Sequence, residues 1–223
     1  MSRPSAMNAY LEAIYVLNDE GEQVIASKVA DYLNVSRPTV SQTLQRMNQE
    51  GYVTSGEGKE ILLTDEGRSK AEQIVRRHRL LERWLTDVLD LDWADAHVEA
   101  GRLENSVSEL VEKRLATLLG NPTTCPHGNV IPGSGYVLPK GMPLSEVDSH
   151  QTVEVVRIIE VAEEDLDLLR FLHRTGLVPG ARVVLGEQSR FEAGIPIEVK
   201  GETLSLQREI ADRVLVRPIE AQA

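Results

Sequence analysis

His78 and Glu82 stand four residues apart in a stretch of helical periodicity, so both side chains leave the same face of one helix. In the next helical stretch His97, Gly101, Glu104, Asn105 and Ser108 share a face at i, i+4, i+7, i+8 and i+11. Glu160 and Glu163 are three apart, just after a predicted strand. Two imidazoles and several carboxylates make a nitrogen and oxygen donor set suited to Mn2+, Fe2+ or Zn2+ rather than to a soft cation. Cys125 and His127 could pair as further ligands, but no second pair lies near them in the sequence, and a structural loop is the expected reading. No catalytic pattern accompanies these residues: HExxH, a nucleophile elbow and a phosphate loop are all absent, so no enzyme is expected.

A second chemistry is carried by residues 25–59. A short amphipathic helix (Val29, Ala30, Leu33) runs into a turn at Asn34-Val35, and Ser36 caps a second helix with Pro38 in its first turn. That helix buries Val40, Leu44 and Met47 at helical spacing and leaves Arg37, Thr39, Ser41, Gln42 and Arg46 outward. A helix-turn-helix lays such a surface in the major groove of duplex DNA. Thr39 and Gln42 are the expected base contacts, and Ser36, Arg37, Ser41 and Lys59 the expected phosphate contacts. Lys28, Pro38 and Arg46 complete the predicted set, with Arg46 also placed to pair with Glu50. Tyr52–Ser55 and Glu60–Leu63 flank Gly56-Glu-Gly58 as a hairpin wing.

Several elements must position these residues. Residues 7–18 read as a helix under the helix-turn-helix, Thr64 to about Leu89 as a long helix, and Asp95 to Leu119 as another. Residues 121–133 read as a covering loop and Gly133–Asp148 as a linker. Beyond His150, five short strands (Thr152–Ile159, Ala181–Gly186, Ile195–Lys200, Thr203–Leu206, Val214–Pro218) and one helix (Glu163–His173) suit an SH3-like barrel. Trp84 and Trp93 are expected in the core or at a dimer interface, as is the line Leu103, Val107, Leu110, Leu115 and Leu118.

At 223 residues the chain can hold more than one domain, and its formal net charge is -11. Residues 1–70 carry seven Lys/Arg against ten Asp/Glu, so charge alone binds DNA weakly and with strong salt sensitivity. A divalent cation neutralising carboxylates would reconcile this acidity with a DNA-reading unit. One cysteine, no long apolar run and no signal pattern at Met1–Ala6 point to a cytoplasmic protein with no membrane partner.

Four segments together resemble the diphtheria toxin repressor family of dimeric, metal-activated repressors of iron or manganese homeostasis. They are Ser36-Arg-Pro-Thr-Val-Ser-Gln-Thr43, Arg77-His-Arg-Leu-Leu-Glu-Arg-Trp-Leu85, Pro126-His-Gly-Asn129 and Gly176-Leu-Val-Pro-Gly180. The resemblance covers nearly the whole chain. It implies a mostly α N-terminal part, with a winged helix-turn-helix over 1–70 and a helical metal-binding and dimerisation domain over 71–135. A linker over 136–150 and an all-β SH3-like, FeoA-type domain over 151–223 would follow. It also implies an ancillary metal site made by His78, Glu82, His97, Glu160 and Glu163, joining the two domains. The family's primary site is degraded. Ala9, Gly101, Glu104 and Asn105 stand where iron-type members have methionine, cysteine, glutamate and histidine. Manganese-type members have aspartate and a second glutamate at the positions of Ala9 and Gly101, while Glu12 and His78 match their pattern. The ancillary-type site should therefore dominate, loaded with Mn2+ or Fe2+, and with Zn2+, Co2+ or Ni2+ in vitro. The implied partners are a second copy of the chain and a palindromic operator in double-stranded DNA. The competing readings are a regulator of this fold without metal control, or one sensing another ligand, and, from a different class, a metalloenzyme or metal buffer.

Overall fold

A computed structural model of the chain describes residues 6–188 and 194–219. The extreme ends of the first and last predicted domains therefore lie outside the described residues. Helix α1 (Ala6–Asp19) buries Met7, Tyr10, Leu11, Ile14 and Leu17 against α2 (Ala26–Tyr32) and α3 (Arg37–Gln49). Ser36 caps α3 by accepting from Thr39 N, with Pro38 in the first turn, as its sequence predicts. Strands β1 (Val53–Ser55) and β2 (Ile61–Leu63) pair antiparallel as the wing.

Helix α4 (Asp65–Asp87) is the spine. At about 1.5 Å per residue it runs roughly 35 Å. Thr64 caps it by accepting from Gly67 N, and Gly67 is required there because a Cβ would sit 2.0 Å from the Tyr52 carbonyl. Ala71 and Ile74 near its start belong to the N-terminal core, whereas Leu81 and Leu85 pack on Ala96 and Ala100 of α5 (Trp93–Leu103). One rigid element thus spans the DNA-reading unit and the histidine cluster.

The single helix expected over Asp95–Leu119 is two, α5 and α6 (Glu109–Leu118). Ser108 is the reason: its hydroxyl accepts from Val111 N and starts α6, offering the backbone a cap in place of another helical turn. Ser108 therefore leaves the face it was expected to share with His97 and Glu104. The loop at 121–133 holds a small bridge, Thr124 to Val130, and packs along β4 (Thr152–Ile158). Ile158 N donates to the His127 carbonyl at 2.9 Å. Gly128 (φ 94°) allows this approach, since a Cβ would meet the Val156 carbonyl at 2.5 Å.

The expected linker ends early. β3 (Met142–Pro143) pairs with β8 (Val214–Pro218), and Leu144 and Val147 are buried in the C-terminal core. That domain's antiparallel sheet runs β3-β8-β4-β5-β6-β7, with β5 Arg182–Leu185, β6 Ile195–Val199 and β7 Glu202–Leu206. A 3-10 turn (Glu160–Ala162) precedes α7 (Leu166–Thr175), which starts later than predicted because Asp165 caps it; α8 is Arg208–Ala211. Trp93 and Ala94 of α5 are buried in the core of this domain, so the helical body and the sheet share packing. A bulge in β4 between Val155 and Arg157 changes its register just before the 3-10 turn. Arg157 donates to both oxygens of Glu20, just beyond α1, at 2.7 Å, and Glu160 N donates to Glu20 at 2.8 Å. No helix among the described residues is long and apolar enough to cross a membrane.

Candidate metal centre and DNA-reading surface

Glu82 is the hub. It is fully buried on α4, and its Oε1 lies 3.1 Å from His78 Nε2, 2.9 Å from His97 Nδ1 and 3.7 Å from His127 Nδ1. Its Oε2 is buried with no hydrogen-bond partner. His127, buried on the covering loop, has neither ring nitrogen hydrogen-bonded, although Glu163 Oε1 lies 3.0 Å from Nδ1. Orphaned buried polar atoms are costly. Donor atoms of Glu82, Cys125 and His127, one from each, lie within 4.8 Å of one another, as the donor atoms of a cation site do. Glu163 also accepts from Asn129 Nδ2 at 2.6 Å, with its other oxygen 3.8 Å from His97 Nδ1.

Among the described residues three overlapping ligand triads result: His78/Glu82/His97, Glu82/Cys125/His127 and Glu12/His78/Glu104, each with donor atoms within 4.8 Å of one another. The first is the predicted α4/α5 trio. The second brings in Cys125 and His127, for which the sequence predicts a structural loop; once the loop packs on β4, both face Glu82. Trp93 stacks edge-on to His127 (4.6 Å, 83°) and lies parallel to His173 (5.2 Å, 3°), bracing the imidazole from the domain interface.

Glu160 and Asn105 are placed differently from the other predicted ligands. Both oxygens of Glu160 accept from Arg79, at 2.5 and 2.6 Å from Nη2, with Nε at 3.1 Å from Oε1. Arg79 Nη1 also donates to the Val130 carbonyl. Glu160 is thus the counter-ion of a buried guanidinium and belongs to none of the three triads. Asn105 is exposed; its side-chain oxygen accepts from Asn8 and its amide donates to Glu104. Gly101 leaves open the space above His78, since a Cβ would stand 3.9 Å from its Cε1.

The electrostatics follow from this crowding. Burial would raise the pKa of Glu82, but His127 and then His78 hold it well below the usual carboxylate range. Burial works against protonating His78 and His127, yet the carboxylates around them (Glu82 first for His78, Glu163 first for His127) push both well above an ordinary histidine. Glu12 is pushed up to about 8 by burial and by Glu104. Without a cation, the crowding favours protons on His78, His127 and Glu12. A divalent cation would take the place of those protons, as ligand binding by deprotonated groups requires. A cavity of about 380 Å3 opens beside it, lined by Ala9, Glu12, Tyr32, His78, Gly101 and Glu163 among others, where α1, α2, α4, α5 and the 3-10 turn meet.

On the opposite end, Ser36, Arg37, Pro38, Thr39, Ser41, Gln42 and Arg46 of the α3 region are exposed together, and Lys59 is exposed on the wing. Arg46 pairs with Glu50 at 2.9 Å. Lys28 is paired with Glu22 and lines a groove with Val161 and Glu164 of the C-terminal domain.

Comparison with known proteins matches three family descriptions in order along the chain. They are the N-terminal DNA-binding domain of the iron dependent repressor over residues 4–59, its metal binding and dimerisation domain over 64–133, and the FeoA domain over 142–218. The iron-dependent repressor IdeR of Mycobacterium leprae is 38% identical over 222 residues, covering 94% of this chain and 96% of that protein. The diphtheria toxin repressor of Corynebacterium diphtheriae is 31% identical, covering 94% and 96%. Among solved structures, a manganese-dependent transcriptional repressor in complex with manganese superposes with a TM-score of 0.81 at 28% identity, covering 96% of this chain and 100% of that one. The ScaR protein with bound Cd2+ gives 0.78 at 29% identity with the same coverage.

Proposed function

The chain belongs to the iron-dependent repressor family that includes the diphtheria toxin repressor, and from that premise we propose that it is a repressor of metal-homeostasis genes switched on by Mn2+ or Fe2+. The observation that carries the reading is Glu82. It is a buried carboxylate with an unpartnered oxygen, ringed by His78, His97 and His127, the last of which faces Glu163. Glu82 and His97 come from the helical body, His127 (with Cys125) from the covering loop, and Glu163 from the C-terminal domain. When bound there, the cation supplies the charge that holds all three segments together.

The residues around the centre carry that constraint to the DNA-reading unit. Glu163 fixes the 3-10 turn, whose Glu160 N and neighbouring Arg157 hold Glu20 beyond α1. α1 packs under α2 and α3. On the other side α4 continues unbroken into the same N-terminal core. Val88, Leu89, Leu110, Val111 and Leu118 leave an exposed apolar surface on the helical body. A second copy on that surface would pair two α3 helices about a twofold axis, which reads a palindrome. Coupling requires the cation to bind the DNA-competent arrangement more tightly than the free one.

A second reading, DNA binding without metal control, draws on Ala9 and Gly101, which leave the Glu12/Glu104 pocket short of donors. Equilibrium dialysis against Mn2+ separates the two. Tight binding in the wild-type protein that falls at least tenfold in Glu82→Gln supports metal control through Glu82. Binding unchanged by the substitution places the metal away from Glu82, and no binding at all supports the second reading.

A further inference from the structure

His78 faces two ligand sets at once. Its Nε2 lies 3.1 Å from Glu82 Oε1 and 3.2 Å from His97 Nδ1. Its Nδ1 lies 2.8 Å from Glu104 Oε2 and 4.0 Å from Glu12 Oε1. A neutral imidazole has one lone-pair nitrogen and one N–H. If Nε2 joins Glu82 and His97 around a cation, the proton sits on Nδ1 and is donated to Glu104. If Nδ1 joins Glu12 and Glu104, the proton sits on Nε2 and is donated to Glu82. Each arrangement turns a carboxylate of the other set into the outer acceptor that orients a ligating imidazole.

The surroundings keep the ring from serving each set in turn by moving away. His78 is 8% exposed, and the His97 ring packs against it edge-on with centroids 4.9 Å apart. The Glu12/Glu104 set has little to fall back on: Ala9 and Gly101 beside it offer no side-chain donor, and Asn105 is engaged with Asn8 and Glu104. Of the other carboxylates lining the cavity, Glu160 is held by Arg79 and Glu163 by Asn129 and His127. Without the imidazole it keeps only two carboxylates.

We propose that His78 is a shared ligand whose tautomer admits a divalent cation either to the Glu82/His97 set or to the Glu12/Glu104 set, never to both at once. The inference rests on the metal-centre reading above. It makes the second set a reserve site that fills only when the first is lost.

Protein labelled with 15N at histidine, titrated with 113Cd2+ and followed by NMR, tests this directly. In the wild-type chain, cadmium coupling should appear at His78 Nε2 with Nδ1 protonated, and should persist in excess cadmium. His97→Ala should move the coupling to Nδ1. Coupling at both nitrogens together, or coupling that stays on Nε2 in His97→Ala, overturns exclusivity. Coupling at His97 and His127 with none at His78 overturns the sharing while leaving the metal centre standing. No coupling at any histidine of the wild-type protein overturns both.

Discussion

Glu160→Ala separates a metal ligand from the partner of a buried charge. Arg79 is 2% exposed and is bound through Nε and Nη2 to both oxygens of Glu160. Removing one member of a buried pair strands the other, at a cost of about 3–5 kcal/mol. A ligand contributes differently: its effect appears only when metal is present. A cation at a hundred times its Kd stabilises the folded chain by about 2.7 kcal/mol. Urea unfolding of wild type and variant, each in EDTA and in Mn2+ at that excess, resolves the two roles. The expected result is a large loss of similar size in both conditions, with the metal-induced gain preserved. An Arg79→Met, Glu160→Leu double variant should recover much of the loss, because an apolar pair of similar volume often replaces a buried ion pair without penalty. A Glu160→Ala protein that matches wild type in EDTA but gains nothing from Mn2+ would refute this assignment and make Glu160 a ligand.

Gly101→Glu should place a carboxylate over His78 and tighten Mn2+ binding at the Glu12/Glu104 set at least tenfold, about 1.4 kcal/mol, as read by EPR titration in a His97→Ala background. Glu20→Gln should cost about 1.5–3 kcal/mol in a denaturant melt, the worth of a hydrogen bond to a charged group, since Glu20 accepts from Arg157 and from Glu160 N. Burial opposes ionisation of Glu20, but its hydrogen bond and charge contact with Arg157 lower its pKa overall. Its stabilisation is therefore full above the ordinary carboxylate value and is lost as pH falls through the lowered folded value; the melts of wild type and Glu20→Gln should converge in acid. On the DNA side, Gln42→Ala should cost about 1–3 kcal/mol and relax preference at one base position, whereas Lys59→Ala should weaken all sequences alike and reduce the salt slope by about one. Fluorescence anisotropy across a salt series checks both.

Local signals made much of this legible in the sequence. Ser36 and Thr64 announce helix starts, Gly56-Glu-Gly58 the wing, and Gly176 in the left-handed region the end of α7. Spacing puts His78 and Glu82 on one helix face, the family resemblance joins His97 to them, and the packing of α4 on α5 brings the three side chains together. Tertiary contacts hid the rest. Cys125 and His127 lie in a Pro- and Gly-rich segment whose role depends on docking to β4, which no local pattern encodes. Arg79 follows His78 on α4 and reads as one more helical cation until its burial against Glu160 is seen. The break at Ser108 was a competition between a cap and another helical turn, and apolar periodicity continued across it. Met142–Val147 looked like linker because two-residue strands such as β3 are defined by their partner, here β8.

The central claim is that metal at the Glu82 centre controls DNA binding. Fluorescence anisotropy of the full-length protein on a selected DNA fragment, at fixed salt, with EDTA or Mn2+, tests it most directly in wild type and Glu82→Gln. The account predicts at least tenfold tighter binding with Mn2+ in wild type and less than twofold in Glu82→Gln, with both proteins alike in EDTA. Equal affinity of the wild-type protein in EDTA and Mn2+ would contradict it.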